Sequence, residues 1–215
     1  MLSKRLFEIS KFVPEKSDVI DIGCDHALLD IYLTINNNNK CIAADISEKV
    51  IENAKKNIEK YNLQRKIKTI ISNGIENIKI TKKSVIIISG MGTHTIVDIV
   101  SKIDRNKVQK LIIQSNNCLY DLRKRITKLG YIIEKEKVVY DHNKFYTIIS
   151  FETGIKKYNI KTLKYGDNIT IDDDYNRYIR DCINKNKQII KKLNYKHILK
   201  RINLILENCQ LKKHI

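Results

Sequence analysis

Short runs of β-branched residues alternate with segments of helical period along the first two thirds of this chain, and that alternation restricts the fold more than any other feature. The runs are Asp18–Ile22, Lys40–Asp45, Ile67–Ile71, Ser84–Ser89 and Lys110–Ile113. Within them apolar residues mostly stand side by side, the pattern of strands buried on both faces. Between them, Glu48–Tyr61 places Val50, Ile51, Ala54, Ile58 and Tyr61 at three- and four-residue steps, and Ser47 is positioned to cap the run. Thr95–Ile103 and Leu119–Leu129 repeat the helical period. Strands alternating with helices predict an α/β fold with a mostly parallel sheet and right-handed crossovers. After Gly130 the pattern changes. Tyr131–Val139 and Phe145–Phe151 alternate around Asp141-His142-Asn143, which reads as an antiparallel hairpin closing the sheet.

The C-terminal part has a different character. Residues 1–153 read as the α/β domain and residues 154–215 as a linker followed by a helical hairpin. Tyr158–Ile169 reads as the linker, with Gly166-Asp167-Asn168 as turn material, and Thr170–Asp174 offers caps and acids suited to a helix start. Tyr175, Tyr178, Ile179, Cys182, Ile183, Ile190 and Leu193 form one apolar stripe, Asn194 breaks it, and Ile198, Leu199, Ile202, Ile205, Leu206 and Cys209 form another. Two antiparallel helices packed along these stripes predict a small coiled-coil-like appendage.

Charge marks the same division. The chain has 41 Lys+Arg against 24 Asp+Glu, a formal charge of +17. Residues 154–215 hold 15 basic and 6 acidic residues, residues 1–153 hold 26 and 18, so the positive excess is denser at the C-terminal end. Part of it reflects a chain rich in Ile, Asn and Lys; the remainder points to a polyanionic partner such as nucleic acid. No apolar run approaches the ~18–20 residues of a membrane span. The amphipathic N-terminus MLSKRLFEISKFV, interrupted by Lys and Glu, does not read as a signal peptide. Five dispersed cysteines with no CxxC pair argue against a disulfide framework and against a metal site, and suit a reducing cytoplasm.

The chemistry starts where the first strand ends, in VIDIGCDHALLD. In an open α/β sheet, ligands bind beyond the carboxyl ends of strands. A dinucleotide site would show G-x-G-x-x-G here. This loop has one glycine, Gly23, and two carboxylates, Asp21 and Asp25, which suit a ligand with a cationic amino group and no phosphate. S-adenosylmethionine is such a ligand. Asp45 ends the second strand 22 residues after Gly23, where an acid can accept both hydroxyls of a ribose.

Several pieces together resemble the bacterial tRNA (adenine-N1)-methyltransferases acting at position 22. They are LSKRL at Leu2–Leu6, DIGCDHA at Asp21–Ala27, Asn73-Gly74, SGMG at Ser89–Gly92, QSN at Gln114–Asn116 and DHNKFYTIISFE at Asp141–Glu152, in family order across residues 2–152. DIG alone is common; DIG-x-DHA followed by GMG and Q-x-N is much more specific. The family usually reads Ser at Cys24, Tyr at Leu28, Pro at Asp30, Gly at Thr93 and Pro at Ser115. The resemblance implies a Rossmann-like class I methyltransferase sheet with a C-terminal antiparallel helical hairpin, S-adenosylmethionine as cofactor and tRNA as partner. It implies neither a metal nor a membrane and leaves the oligomeric state open.

Position and resemblance together assign expected roles. Asp21 and Gly23 shape the methionine pocket, with Asp25 and His26 on its helix side; a capping role for His26 is the alternative. Asp45 holds the ribose, Ile46 packs on the adenine, Asn73-Gly74 contacts the adenine amino group, and Met91-Gly92 lies beside the transferred methyl. Asn116 and Gln114 position the target base, Phe145 or Tyr146 stacks on it, and Lys191, Lys192, Lys196, Lys200 and Arg201 meet the RNA near the tip of the hairpin. Adenine N1 already carries a lone pair, so no obligatory general base is nominated. Two other functions stay open on the residues: the same cofactor fold acting on a protein or small molecule, and an RNA-binding module with a vestigial cofactor site.

Overall fold

The computed structural model describes residues 2–80, 84–193 and 197–212. It divides into two compact units, residues 1–169 and 170–215.

In the first unit, helix α1 (Lys4–Ser10) is followed by β1 (Asp18–Ile22), α2 (Leu28–Asn36), β2 (Lys40–Asp45), α3 (Glu48–Lys60), β3 (Ile67–Ile71) and β4 (Ser84–Met91). Then come α4 (Thr93–Ser101), β5 (Val108–Ser115), α5 (Leu119–Lys128), β6 (Tyr131–Asp141), β7 (Lys144–Thr153), α6 (Ile160–Tyr165) and the two-residue β8 (Ile169–Thr170). The sheet order is β3-β2-β1-β4-β5-β7-β6-β8. Pairs within β3-β2-β1-β4-β5 are parallel; β7 runs antiparallel to β5 and to β6. The expected Rossmann-like order with a terminal hairpin is present.

The side-by-side apolar residues have the predicted consequence. On β4, Val85 and Ile87 enter one core while Ile86 and Ile88 enter the other. The first core is completed by Ile9 of α1, Leu29 and Leu33 of α2, and Ile51, Ala54 and Ile58 of α3. The second takes Ile96 and Val100 of α4 and Leu122 and Ile126 of α5. Burial on both faces forces the strand ends, and the loops that leave them, to carry the polar chemistry. The β6–β7 hairpin turns through His142 and Asn143, both at positive φ (45° and 61°), as a two-residue primed turn requires.

The stretch read as a linker is ordered. Asn159 caps α6 by accepting from Thr162 N (2.8 Å), and Leu163 is buried. Beneath it lies a buried ion pair: Arg123 Nη2 donates to Glu136 Oε2 (2.6 Å), and the two side chains are 3% and 0% exposed. The same guanidinium donates to Leu163 O (3.1 Å), while Asp167 N donates to Glu136 Oε1 (2.9 Å). These long-range bonds hold the 154–169 segment to the rest of the first unit.

The second unit contains α7 (Asp173–Lys192) and α8 (Ile198–Leu211). Asp172 caps α7 by accepting from Tyr175 N (3.0 Å), with Asp173 and Asp174 in its first turn. Tyr175, Ile179 and Ile183 are buried. Asn186 Nδ2 donates to Asn208 Oδ1 (3.1 Å), which, with a connection of only five residues, makes the helices antiparallel. The second stripe behaves differently from expectation: Ile198, Leu199, Ile202, Ile205 and Leu206 are exposed, and the buried residues of α8 are Asn208 and Leu211. Asn194, read as the helix breaker, lies outside the described residues. No described helix is long and apolar enough to cross a membrane.

Candidate active site

The loop from β1 to α2 is shaped by backbone bonds and by glycine. Gly23 N and Cys24 N both donate to Ala44 O, at 2.8 and 3.0 Å, which pins the loop to the end of β2. Gly23 has φ +81°, and a Cβ there would stand 2.5 Å from Met91 Cε. The left-handed backbone is what calls for glycine here, since the Met91 methyl ends a flexible side chain that can swing aside. Asp25 and Ala27 also adopt left-handed conformations. Ala27, not His26, is the N-cap of α2, and it brings no side-chain acceptor. His26 instead places Nε2 3.5 Å from Asp25 Oδ1, both side chains exposed.

A cleft of about 290 Å³ opens over this loop, lined among others by Arg5, Asp21, Gly23, Asp25, His26, Ser89 and Gly90. Asp21 is 5% exposed. Burial pushes its carboxyl up to about 7, against the lowering influence of a hydrogen bond from Asp30 and of the Arg5 charge; Asp45 adds a smaller upward push. At the end of β2, Asp45 Oδ1 accepts from Ser47 N (2.9 Å), so the carboxylate is already oriented, and the neighbouring Ile46 side chain is exposed. After β3, Gly74 (φ +61°) approaches Ile99 too closely for a Cβ, while Asn73 Nδ2 donates to both oxygens of Glu76 (3.2 and 3.3 Å).

The carboxyl ends of β4 and β5 are joined by one polar network. Arg5 Nη1 donates to Ser89 Oγ (2.8 Å) and to Gln114 Oε1 (2.6 Å). Gln114 Oε1 also accepts from Gly90 N (3.1 Å), and its Nε2 donates to Asn116 Oδ1 (3.2 Å). Asn116 Nδ2 in turn donates to Gly90 O (2.7 Å). Gln114 is buried and occupied by these partners. Asn116 is exposed and held in one orientation, with a donor hydrogen and an acceptor lone pair beyond those bonds. Successive residues on β7 separate the two aromatics: Tyr146 lies under the Arg5 guanidinium (5.3 Å to the ring centroid), whereas Phe145 packs on Tyr140 (4.8 Å between centroids). In the second unit, Lys191 and Lys192 end α7 and Lys200 and Arg201 begin α8, all exposed; Lys196 lies outside the described residues.

A family profile described as a methyltransferase domain matches residues 2–149. The tRNA (adenine(22)-N(1))-methyltransferase of Bacillus subtilis is 31% identical over 157 residues, covering 71% of this chain and 66% of that protein. The chain belongs to this methyltransferase family. Two solved structures agree with it over the full chain. One, from Streptococcus pneumoniae, is 28% identical with a TM-score of 0.89 over 100% of this chain and 99% of that one. The other, M. capricolum TrmK in complex with S-adenosyl-homocysteine, is 30% identical with a TM-score of 0.84 over 100% and 97%.

Against the family pattern, two unusual residues prove to be partners. Thr93 Oγ1 and Ser115 Oγ lie 2.9 Å apart, both buried, and each hydroxyl donates to Asn117 O (2.6 and 2.9 Å). Asn117 Oδ1 accepts from Thr93 N (3.0 Å) and so helps cap α4. Where the family usually has Gly and Pro, this methyltransferase ties the same two strand ends together with hydroxyls. Sequence reasoning missed Arg5 as a site residue. Its signal was present in the LSKRL match at Leu2–Leu6, but helical period alone says nothing about which strand ends a helix residue reaches.

Proposed function

We propose that this methyltransferase transfers the methyl group of S-adenosylmethionine to N1 of the adenine at position 22 of tRNA, with the cleft over the β1–α2 loop as the cofactor pocket. The observation that carries the reading is a buried carboxylate, Asp21, beside half-buried Gly23 in the cleft lining, with a second oriented carboxylate, Asp45, at the end of the next strand. The residues fit the cofactor part by part. Asp21 offers an anion for the ammonium group and Arg5 a cation for the carboxylate, Asp45 accepts from the ribose, and exposed Ile46 is a platform for the adenine. Asp25 and His26 line the cleft, and Asn73, Gly74, Met91 and Gly92, which are not among its lining residues, are assigned to the cofactor from the ends of β3 and β4.

Bound S-adenosylmethionine supplies a methyl group on a sulfonium, already activated for a lone-pair nucleophile. The chain therefore has to position the base, and alignment alone is worth several kcal/mol. Asn116 presents its remaining donor and acceptor to the adenine edge. Gln114, buried behind it, holds the amide plane of Asn116. Tyr146 offers a stacking face to an extruded base, since a paired adenine hides N1. The helical pair of residues 170–215 contributes Lys191, Lys192, Lys200 and Arg201 to the phosphate backbone, with Lys196 proposed beside them. The protein works in the reducing cytoplasm, where its five free cysteines stay thiols.

Incubation with labelled S-adenosylmethionine and unmodified tRNA, followed by nucleoside mapping, tests the reading. The expected product is 1-methyladenosine at position 22. N6-methyladenosine as the sole product, or label on protein and none on tRNA, overturns it.

A further inference from the structure

Behind the cofactor loop lies a buried acid that neither the loop motif nor the base-positioning network uses. Asp30 sits in the first turn of α2 and is fully buried (0% exposed). Among the described residues neither carboxyl oxygen of Asp30 has a well-formed hydrogen bond; its own backbone N–H and the Cys41 thiol are the donors turned toward it. The carboxyl of Asp21 faces it as well, and the two acids act on each other as hydrogen-bond partners. Two acceptor-only groups cannot bond to each other. A single proton placed between them makes an O–H···O⁻ bond and removes one of two buried negative charges.

We infer that Asp30 is a positioning residue for the cofactor site, a buried carboxylic acid that donates a hydrogen bond to Asp21 and so keeps the Asp21 carboxylate charged and aimed at the cleft. The inference rests on the reading of Asp21 as the partner of the cofactor's ammonium group.

The surroundings decide which acid keeps the proton. Asp21 lines the cleft and has Arg5 of α1 nearby, which favours its anion. Asp30 faces the Asp21 charge and the thiol of Cys41 on β2, with Thr34 Oγ1 3.6 Å from Cys41 Sγ; the Cys24 thiol of the loop feels Asp30 and Asp21, and Asp45 of β2 acts on Asp21 and Cys24. Among the described residues, the charge that acts most on Asp30 is the Asp21 carboxylate, whereas Arg5 acts on Asp21. Burial and the Asp21 charge push Asp30 far above the carboxylate range, and both neighbouring thiols are pushed up as well, so all three stay protonated at neutral pH. Asp21, raised to about 7, is the group whose charge changes. Below that pH it is protonated and has no anion for an ammonium ion; above it the anion is present. Affinity for a cationic ligand therefore rises as pH rises through about 7, and binding releases a proton near that pH.

Two measurements on the full chain test this. In the cofactor-free protein labelled with ¹³C at the aspartate carboxyls, the resonance of Asp30 should remain that of a protonated acid to pH 8 or above. Asp30 titrating with the exposed aspartates below pH 5 overturns the inference without reference to any ligand. Calorimetry with S-adenosylhomocysteine then compares variants at pH 7. Asp30→Asn keeps a donor and should bind within about threefold of wild type. Asp30→Leu removes the donor and should weaken binding at least tenfold, recovering toward pH 9 as Asp21 ionises; thermal melting confirms that both are folded. Wild-type affinity and pH profile in Asp30→Leu overturn the positioning role, as does an equal loss in both variants. The parallel variant Asp21→Asn separates the two readings. If it binds as wild type while the Asp30 proton is seen by NMR, the cofactor assignment fails and the acid pair stands.

Discussion

The cleft over β1 and the helical pair of residues 170–215 are built on opposite principles. In the cleft and at the neighbouring end of β2, most charges are committed to protein partners: buried Asp21 faces Asp30, half-buried Asp45 accepts from Ser47 N, and half-buried Arg5 is tied to Ser89 and Gln114. In the helical pair, Lys191, Lys192, Lys200 and Arg201 stand exposed at one end, on elements held by few buried side chains. The difference teaches what each ligand class demands. A small zwitterionic cofactor is recognised by a few groups whose desolvation is already met in the folded state. A polyanion is recognised by many solvated charges, each weak, whose sum is set by counterion release.

Four substitutions press on that comparison. The largest effect is expected at the buried ion pair that ties the 154–169 segment to the first unit. Arg123→Met leaves Glu136 charged and without its guanidinium, and should cost about 3–5 kcal/mol in urea denaturation. Hydrogen exchange should show protection lost in residues 154–169 first; unchanged protection there would mean that the segment does not depend on the pair. Next, Asp45→Ala should weaken cofactor binding by about 1.5–3 kcal/mol, the range for hydrogen bonds to a charged group, and leave tRNA affinity alone. Calorimetry at one pH reads this directly, and an unchanged affinity in a folded variant removes Asp45 from the site. Asn116→Ala should lower turnover about tenfold, or ~1.4 kcal/mol, while sparing cofactor affinity. Should the cofactor affinity fall and turnover hold, Asn116 belongs to the pocket and not to the base.

The smallest effect per residue is expected from the exposed cations. Changing Lys191, Lys192, Lys200 and Arg201 together to Gln should leave cofactor binding as it was and weaken tRNA binding mainly at low salt. The slope of log affinity against log salt should become shallower by about 3, near 0.7–0.9 for each lost phosphate contact. An unchanged slope would show that these charges only solvate the helices.

Local pattern carried a good deal of this protein. β1, β2 and β3 begin and end at the residues where the predicted runs do, whereas β4 extends two residues beyond its run and β5 two residues at each end. The Asn143 turn and the Ser47 cap are equally local, each settled by neighbours within three residues. The residues that line the cleft from this loop were legible for a related reason: Asp21 near a strand end, then Gly23 and Asp25, is a contiguous signal. The α8 stripe was not legible in the same way. Ile198, Leu199, Ile202, Ile205 and Leu206 have the spacing of a packing face, yet they are exposed, because periodicity specifies a face and not whether anything covers it.

What the sequence by itself determined is therefore the order of elements, the two-sided burial of the parallel strands and the polar loop over which the cleft opens. All of these follow from interactions between residues a few positions apart, or from the hydrophobic content of a single run. Only the tertiary structure brought Arg5 to Ser89 and Gln114, matched Thr93 with Ser115, joined Arg123 to Glu136 and α6, and set Asp30 behind Asp21. Those pairs are polar and mostly buried, and several are separated by twenty residues to more than a hundred. Whether a buried polar group is satisfied depends on what the fold places against it, and no period in the chain encodes that.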